Sequence, residues 1–225
     1  MGAKSIDSRH FIATDAYARI VGLTQGDEVA GRLDRDMPCE ATARFADSFV
    51  RGDQELLGRG RCNAMKSTLD LHEYSNGLKA LIFDKFVMKH HASKSILGVV
   101  YSAYEVDMRN FFALLPNYTR EFGLGCSIER ADGDSILADV RLTAVEYEMC
   151  FLLAMNWSVD QISCFMNTHR AAAEPDVNST LHDIGEKLRT DNAATSALRE
   201  KLIELGVHQR MPRSFFNHII GVHTL

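Results

Sequence analysis

Apolar and polar positions along the chain change rhythm twice. Over residues 1–107 short helix and strand patterns mix. HFIAT at 10–14 reads as a short strand, and Asp15 can cap a short helix, AYARIVG, that stops at Gly22. Residues 23–38, LTQGDEVAGRLDRDMP, carry Gly26, Gly31 and Pro38 and read as loop. Ala43, Ala46, Phe49 and Val50 recur at helical spacing and predict a helix over 40–57 with a break at Gly52. Strand-like runs follow at 61–74, 79–88 and 95–106. Ser75-Asn76-Gly77 turns the first into the second, and His90 to Lys94 turns the second into the third. A short strand, short helices and a three-stranded antiparallel meander make an α+β domain.

Residues 108–140 read as a connector: MRNFFALL is apolar enough for a helix, then Pro116, Gly123, Gly125 and the turn-like 131–134 interrupt it. Residues 141–225 read as all-α. One apolar stripe joins Leu142, Val145, Met149, Leu152 and Leu153, and a second joins Val159, Ile162 and Met166. A third joins Val177, Leu181, Ile184 and Leu188, and a fourth Leu198, Leu202 and Leu205. Four short amphipathic helices must pack on one another to bury these stripes.

Composition narrows the class. With 46% apolar and 24% charged residues the chain is an ordinary globular protein. No apolar run approaches the roughly 20 residues that cross a bilayer, the longest being 149–155, and MGAKSIDSRH lacks the apolar core of a secretory signal. The expectation is a cytoplasmic protein without membrane contact. Five cysteines, Cys39, Cys62, Cys126, Cys150 and Cys164, show no CxxC spacing, which leaves no zinc signature and no disulfide framework. Most should be buried small hydrophobes. Cys126, flanked by glycines, is the candidate exposed, redox-sensitive thiol. HExxH, GxSxG, P-loop and GxGxxG patterns are absent, so no enzyme, metal or cofactor is expected.

Two resemblances give the pattern a meaning. AYARIVGL, the stretch from Gly31 to Pro38, and IFDKFVMKHHASKSILGVVYSAYEVD with Lys85, Ile96 to Val99 and Asp107 resemble the PAS family of sensor domains. That family starts with a strand ahead of HFIAT, and only nine residues precede His10. LTAVEYEMCFLLAMNWSVDQISCFMN, then DVNSTLHDIGEKLRT and ATSALREKLIELG, resemble the LuxR-type helix-turn-helix. The chain departs from that pattern at Asn156 or Trp157, where glycine is usual, in the longer AAAEPD segment, and at Asp176, where arginine is usual. The pair of domains is similar to PAS–LuxR quorum-sensing receptors for a dimethylpyrazinol autoinducer and to regulators of plasmid conjugation. It implies a ligand-responsive, homodimeric transcription regulator that binds double-stranded DNA and a small organic ligand.

Candidate residues follow. Phe83 and Lys85 lie two apart on a strand and share a face with Leu81 and Val87. If that face lines a cavity, Lys85 needs an acceptor, either an acid or a ligand oxygen, and Phe83 can stack on a ring. Tyr101 and Tyr104 have opposite parity, so at most one faces inward; Tyr101 is the candidate. With the third stripe buried, Asn178, Ser179 and His182 fall on the exposed face of the recognition helix and can read base edges. That helix should begin near Pro175. Arg170, Lys187 and Arg189 can reach phosphates. Against DNA stands charge: the chain is net −5, and 141–225 carry 8 basic and 10 acidic side chains. Dimerisation should use Leu198, Leu202 and Leu205 with Phe111 and Phe112. The alternatives are a ligand-independent regulator whose sensor fold only dimerises, and a protein-interaction module without DNA binding.

Overall fold

Alternation over 65–106 becomes a long meander in the computed structural model, which describes residues 1–59, 64–125, 127–131, 135–169, 176–190 and 194–220. The chain forms two compact units, Met1–Met108 with Leu124–Ser127, and Arg109–Gly123 with Ile128–Leu225.

The first unit runs β1 (Gly2–Ser5), β2 (His10–Ala13), α1 (Asp15–Ile20), α2 (Glu40–Arg44), α3 (Ala46–Gly58), β3 (Met65–Tyr74), β4 (Gly77–Lys89) and β5 (Ile96–Val106). Its strands are antiparallel in the order β2-β1-β5-β4-β3. The strand that the sensor-family resemblance calls for ahead of HFIAT is therefore present, in four residues. Gly98 makes room for it. Its φ is +148°, and a Cβ there would sit 1.9 Å from the Lys4 carbonyl oxygen, so a larger residue would push β1 off β5. The helix expected over 40–57 breaks at Phe45 rather than at Gly52. Phe45 leaves helical geometry at φ −99°, ψ 10°, closing α2 and opening α3, while Gly52 continues the helix. The Phe45 ring packs 4.9 Å from that of His72, and this tertiary contact bends the chain where local propensity does not.

The second unit runs α4 (Met108–Leu114), α5 (Tyr118–Phe122), β6 (Ser127–Ala131), β7 (Ser135–Leu137), β8 (Val140–Leu142), α6 (Ala144–Ala154), α7 (Val159–His169), α8 (Val177–Lys187), α9 (Thr195–Glu204), β9 (Arg210–Pro212) and α10 (Arg213–Ile219). One expectation changes. The region from 141 is not purely helical, because β8 pairs with β7, and β9 pairs in parallel with β6. Residues 109–123, expected as a connector with an apolar helix, pack into this unit. Phe111, Leu114, Leu115 and Tyr118 are buried, the Trp157 indole N–H donates to the Leu114 carbonyl at 3.2 Å, and Arg199 and Asn156 donate to the Glu121 carboxylate at 2.8 and 2.9 Å. The closing α10, with Phe215, Phe216 and Ile219 buried, is an addition to the four helices expected after residue 141.

Helix α6 is the axis of this unit. Its residues from Tyr147 to Ala154 are all buried, so its apolar stripe is one side of a helix covered all round. Thr143 and Glu146 exchange side chain and backbone hydrogen bonds at its start, at 2.7 and 3.2 Å. At its end Asn156 takes the left-handed conformation, φ +63°. Asn156 N–H bonds to Leu153 and Trp157 N–H to Leu152, at 3.0 and 3.1 Å. Asparagine suits this left-handed position, being a side chain that tolerates such a backbone. Ser158 and Gln161 repeat the reciprocal cap at α7. Helix α9 packs on α6 and buries Leu198 and Leu202 inside the unit. Those residues, and the fully buried Phe111, pack into the unit's own core, while Leu205 and Phe112, named with them for dimerisation, are only partly buried.

Candidate functional site

The cavity of the first unit is built where β1, β4 and β5 meet α1 and α3. In register, Lys85 faces Tyr101 across β4 and β5, so the two side chains share the inner face with Phe83. Parity is thereby settled: Tyr101 is 2% exposed and Tyr104 38%. Phe83, Lys85 and Tyr101 all line one cavity, with Tyr17, Val21 and Ile20 opposite. The Phe83 and Tyr101 rings lie 6.5 Å apart, and those of Tyr17 and Tyr101 4.9 Å. The space left is about 30 Å³, room for a water or two rather than an organic ring.

Four further residues, none singled out from sequence, form an ionic network beside it, of which Lys4 and Asp34 line the cavity. Lys4 Nζ donates to Asp34 at 2.6 Å and to Asp53 at 3.2 Å, and Lys85 Nζ donates to the other Asp53 oxygen at 2.5 Å. His10 Nε2 lies 3.0 Å from Asp34, and the Tyr101 hydroxyl 3.0 Å from His10 Nδ1. Two lysines balance two carboxylates, all of them buried. Lys85 therefore finds its acceptor in an acid of α3 while still lining the cavity.

Protonation follows from burial and charge. Burial pushes the Asp34 carboxyl up, but the Lys4 charge and the His10 hydrogen bond outweigh it and hold it well below the usual range. Asp53 is likewise lowered, by Lys85 and Lys4 against burial. Burial lowers Lys4, and Asp34 and Asp53 reverse this and raise it overall. His10 is lowered, chiefly by burial. Burial raises Tyr101 far above the ordinary phenol. A neutral imidazole with its proton on Nε2 satisfies both neighbours: it donates to Asp34 and accepts from the Tyr101 hydroxyl. The arrangement is a continuous chain of hydrogen bonds from the Tyr101 hydroxyl through His10, Asp34, Lys4 and Asp53 to Lys85.

In the second unit α8 starts at Val177, and Pro175 lies outside the described residues. Asp176 is its cap, its carboxylate accepting the Asn178 backbone N–H at 3.1 Å. Val177, Leu181, Ile184 and Leu188 are buried, and Asn178, Ser179 and His182 are exposed. Asn178 and His182 rim a groove of about 290 Å³ closed by Thr195 and Leu198 of α9. The cations are less free than their residue types suggest. Lys187 pairs with Glu146 of α6 at 2.8 Å, and His182 lies 3.6 Å from Glu186. Arg189 is exposed at the left-handed turn after α8. Arg170 and Cys126, with Cys62, lie outside the described residues. Cys39 and Cys150 are buried, the latter's thiol pushed up to about 12 by burial, and Cys164 is exposed. Among the described residues no helix is long and apolar enough to cross a membrane.

No protein-family model matches the chain, and no curated protein matches it. Solved structures of VqmA are similar to it. A Vibrio cholerae VqmA dimer without its target DNA is 21% identical, over 95% of this chain and 86% of that one, with a TM-score of 0.48. VqmA bound to DPO is 20% identical over 100% and 92%, TM-score 0.46. The Vibrio cholerae VqmA–ligand–DNA complex is 23% identical over 95% and 85%, TM-score 0.46.

Proposed function

We propose that the chain is a ligand-responsive, DNA-binding transcription regulator: the cavity of the first unit takes a small organic molecule, and α8 of the second reads a duplex. The observation that carries this reading is α8 itself. A helix that buries one stripe and turns Asn178, Ser179 and His182 outward presents the residue types that bond to base edges. The ligand is a pyrazinol-like ring, as the sequence resemblance implies, and the regulator is a cytoplasmic homodimer reading two half-sites.

Selection from a random duplex library, followed by titration at several salt concentrations, tests this. Asn178→Ala should cost about 1–3 kcal/mol on the selected site and relax preference there. Arg189→Ala should weaken all duplexes alike. Lys187→Ala should do less, since Glu146 already holds that ammonium. With 8 basic against 10 acidic side chains over 141–225, the salt slope should be shallow. A second reading, a protein-docking module, is favoured by Asp176, Asp183 and Glu186, which give α8 an acidic flank. Failure to enrich any duplex, with or without small-molecule extract, selects it. Duplex binding that no small molecule alters selects the ligand-independent regulator, which the small cavity volume favours.

A further inference from the structure

Residues 124–127 return to the first unit from the second, which holds Gly123 before them and Ile128 after them. They are fastened at one glycine. The Gly125 N–H donates to the Leu71 carbonyl of β3 at 3.2 Å. Its φ is +95°, and a Cβ there would lie 1.9 Å from Phe45 Cζ, so the Phe45 ring occupies the place of a side chain. Ring and glycine form a clasp that any larger residue at 125 would force open.

Behind the clasp sits His72. Its ring lies 4.9 Å from that of Phe45, 5.8 Å from Phe49 and 5.5 Å from Tyr74. It is 1% exposed, and neither ring nitrogen has a hydrogen-bond partner among the described residues. Buried polar atoms are almost always paired, so an imidazole with two orphans is a costly filling for an aromatic box that phenylalanine would fill without loss.

The charged and titratable groups around it are few. Asp70 and Tyr74 share its face of β3, and Glu40, Arg44 and Glu73 line the cleft beside it. Phe45 and Phe49 bring no charge from α2 and α3. Burial lowers the His72 imidazole, and the Asp70 charge, which acts to raise it, is the smaller effect. Burial pushes the Tyr74 phenol far up, so it stays neutral while imidazole titrates.

We propose that His72 is the proton-sensitive pin of this clasp: the neutral ring backs Phe45 against Gly125, and a proton on it drives the ring out and releases residues 124–125 from β3. The inference needs neither a ligand in the cavity nor a duplex, so it stands apart from the proposed function. A charged imidazole without a hydrogen-bond partner is costly in an aromatic box, whereas the same ring in water protonates freely. The open clasp therefore takes up a proton that the closed one refuses. The pin's contribution is complete above the ordinary 6.5 of imidazole and falls away as pH drops below it. One proton sets the limit, about tenfold in the opening equilibrium for each pH unit.

Amide hydrogen exchange of the full chain, resolved by NMR over roughly pH 5 to 8 and corrected for intrinsic rates, tests this. The Gly125 protection factor should be level in the upper part of that range and fall by up to about tenfold per unit in the lower part. Amides at the centre of β4 report opening of the whole unit and should fall less. His72→Phe keeps the aromatic contacts, takes no proton, and should abolish the excess fall at Gly125. His10→Gln should leave that excess in place. Gly125→Ala should be unprotected at every pH, and protection retained there overturns the clasp. Gly125 protection that does not vary with pH, that rises in acid as an Asp70–His72 pair forms, or that still falls in His72→Phe overturns the pin.

Discussion

Asp53→Ala destabilises the first unit by about 3–5 kcal/mol, the cost of stranding a buried charge. Asp53 holds Lys85 at 2.5 Å and shares Lys4 with Asp34, and it is 1% exposed. Without it Lys85 stays buried with its acid gone, and water cannot replace that partner cheaply. Urea titration of the full chain, following the transition of the first unit, measures the loss. Joint replacement by Asp53→Leu and Lys85→Met removes both charges and should recover most of it. A shift for Asp53→Ala under about 1 kcal/mol, the scale of an exposed pair, contradicts the network.

The same residues set a pH window. Asp34 and Asp53 are depressed relative to an ordinary 3.8, so their contribution is present above that value and lost as pH falls through the folded pKa. Lys4 is raised above an ordinary 10.5, so its contribution is present below that value and lost as pH climbs past it. His10 is depressed from 6.5, so the folded unit favours neutral imidazole; that contribution is complete above 6.5 and falls away in acid. Tm should therefore be flat from roughly pH 7 to 10 and decline in acid in two stages, the first belonging to His10 and His72, which burial lowers alike. His10→Gln should shrink the first stage. A Tm maximum near pH 5 would contradict a neutral His10 in the folded unit.

The second large effect is Phe111→Ala, expected to cost about 3–5 kcal/mol in the second unit. The ring is fully buried and meets Phe112 and Tyr118 edge-on at 5.2 and 5.4 Å. A phenylalanine in a linker would cost almost nothing when truncated, so the size of the effect separates a packed helix from a free connector over residues 109–123. Thermal unfolding read through Trp157 measures it, because that indole bonds to the Leu114 carbonyl of the same helix. Duplex binding should weaken in parallel as folded unit is lost.

Local rules placed most of the elements. The meander was legible because period-two alternation and the Ser75-Asn76-Gly77 turn act within a few residues, and observed bounds of 77–89 and 96–106 sit close to the runs at 79–88 and 95–106. Parity alone put Phe83 with Lys85 on one face. The apolar stripe of α8 told inside from outside, and so exposed Asn178, Ser179 and His182. What patterning missed has a common cause. Lys4, His10, Asp34 and Asp53 come from four separate segments, and a charged residue read alone looks like surface. Only its long-range partner makes burial tolerable. Strand β3 alternates apolar Leu69 and Leu71 with polar Asp70 and His72, a pattern that locally reads as one core face and one wet face; both faces are buried, and it is the polar one, with Asp70 and Tyr74, that lines the cavity. The apolar segment 108–115 determined a helix but not its neighbour: hydrophobicity demands burial without naming the surface that supplies it, and the packing of Phe111 and Leu114 beside Trp157 was decided in three dimensions.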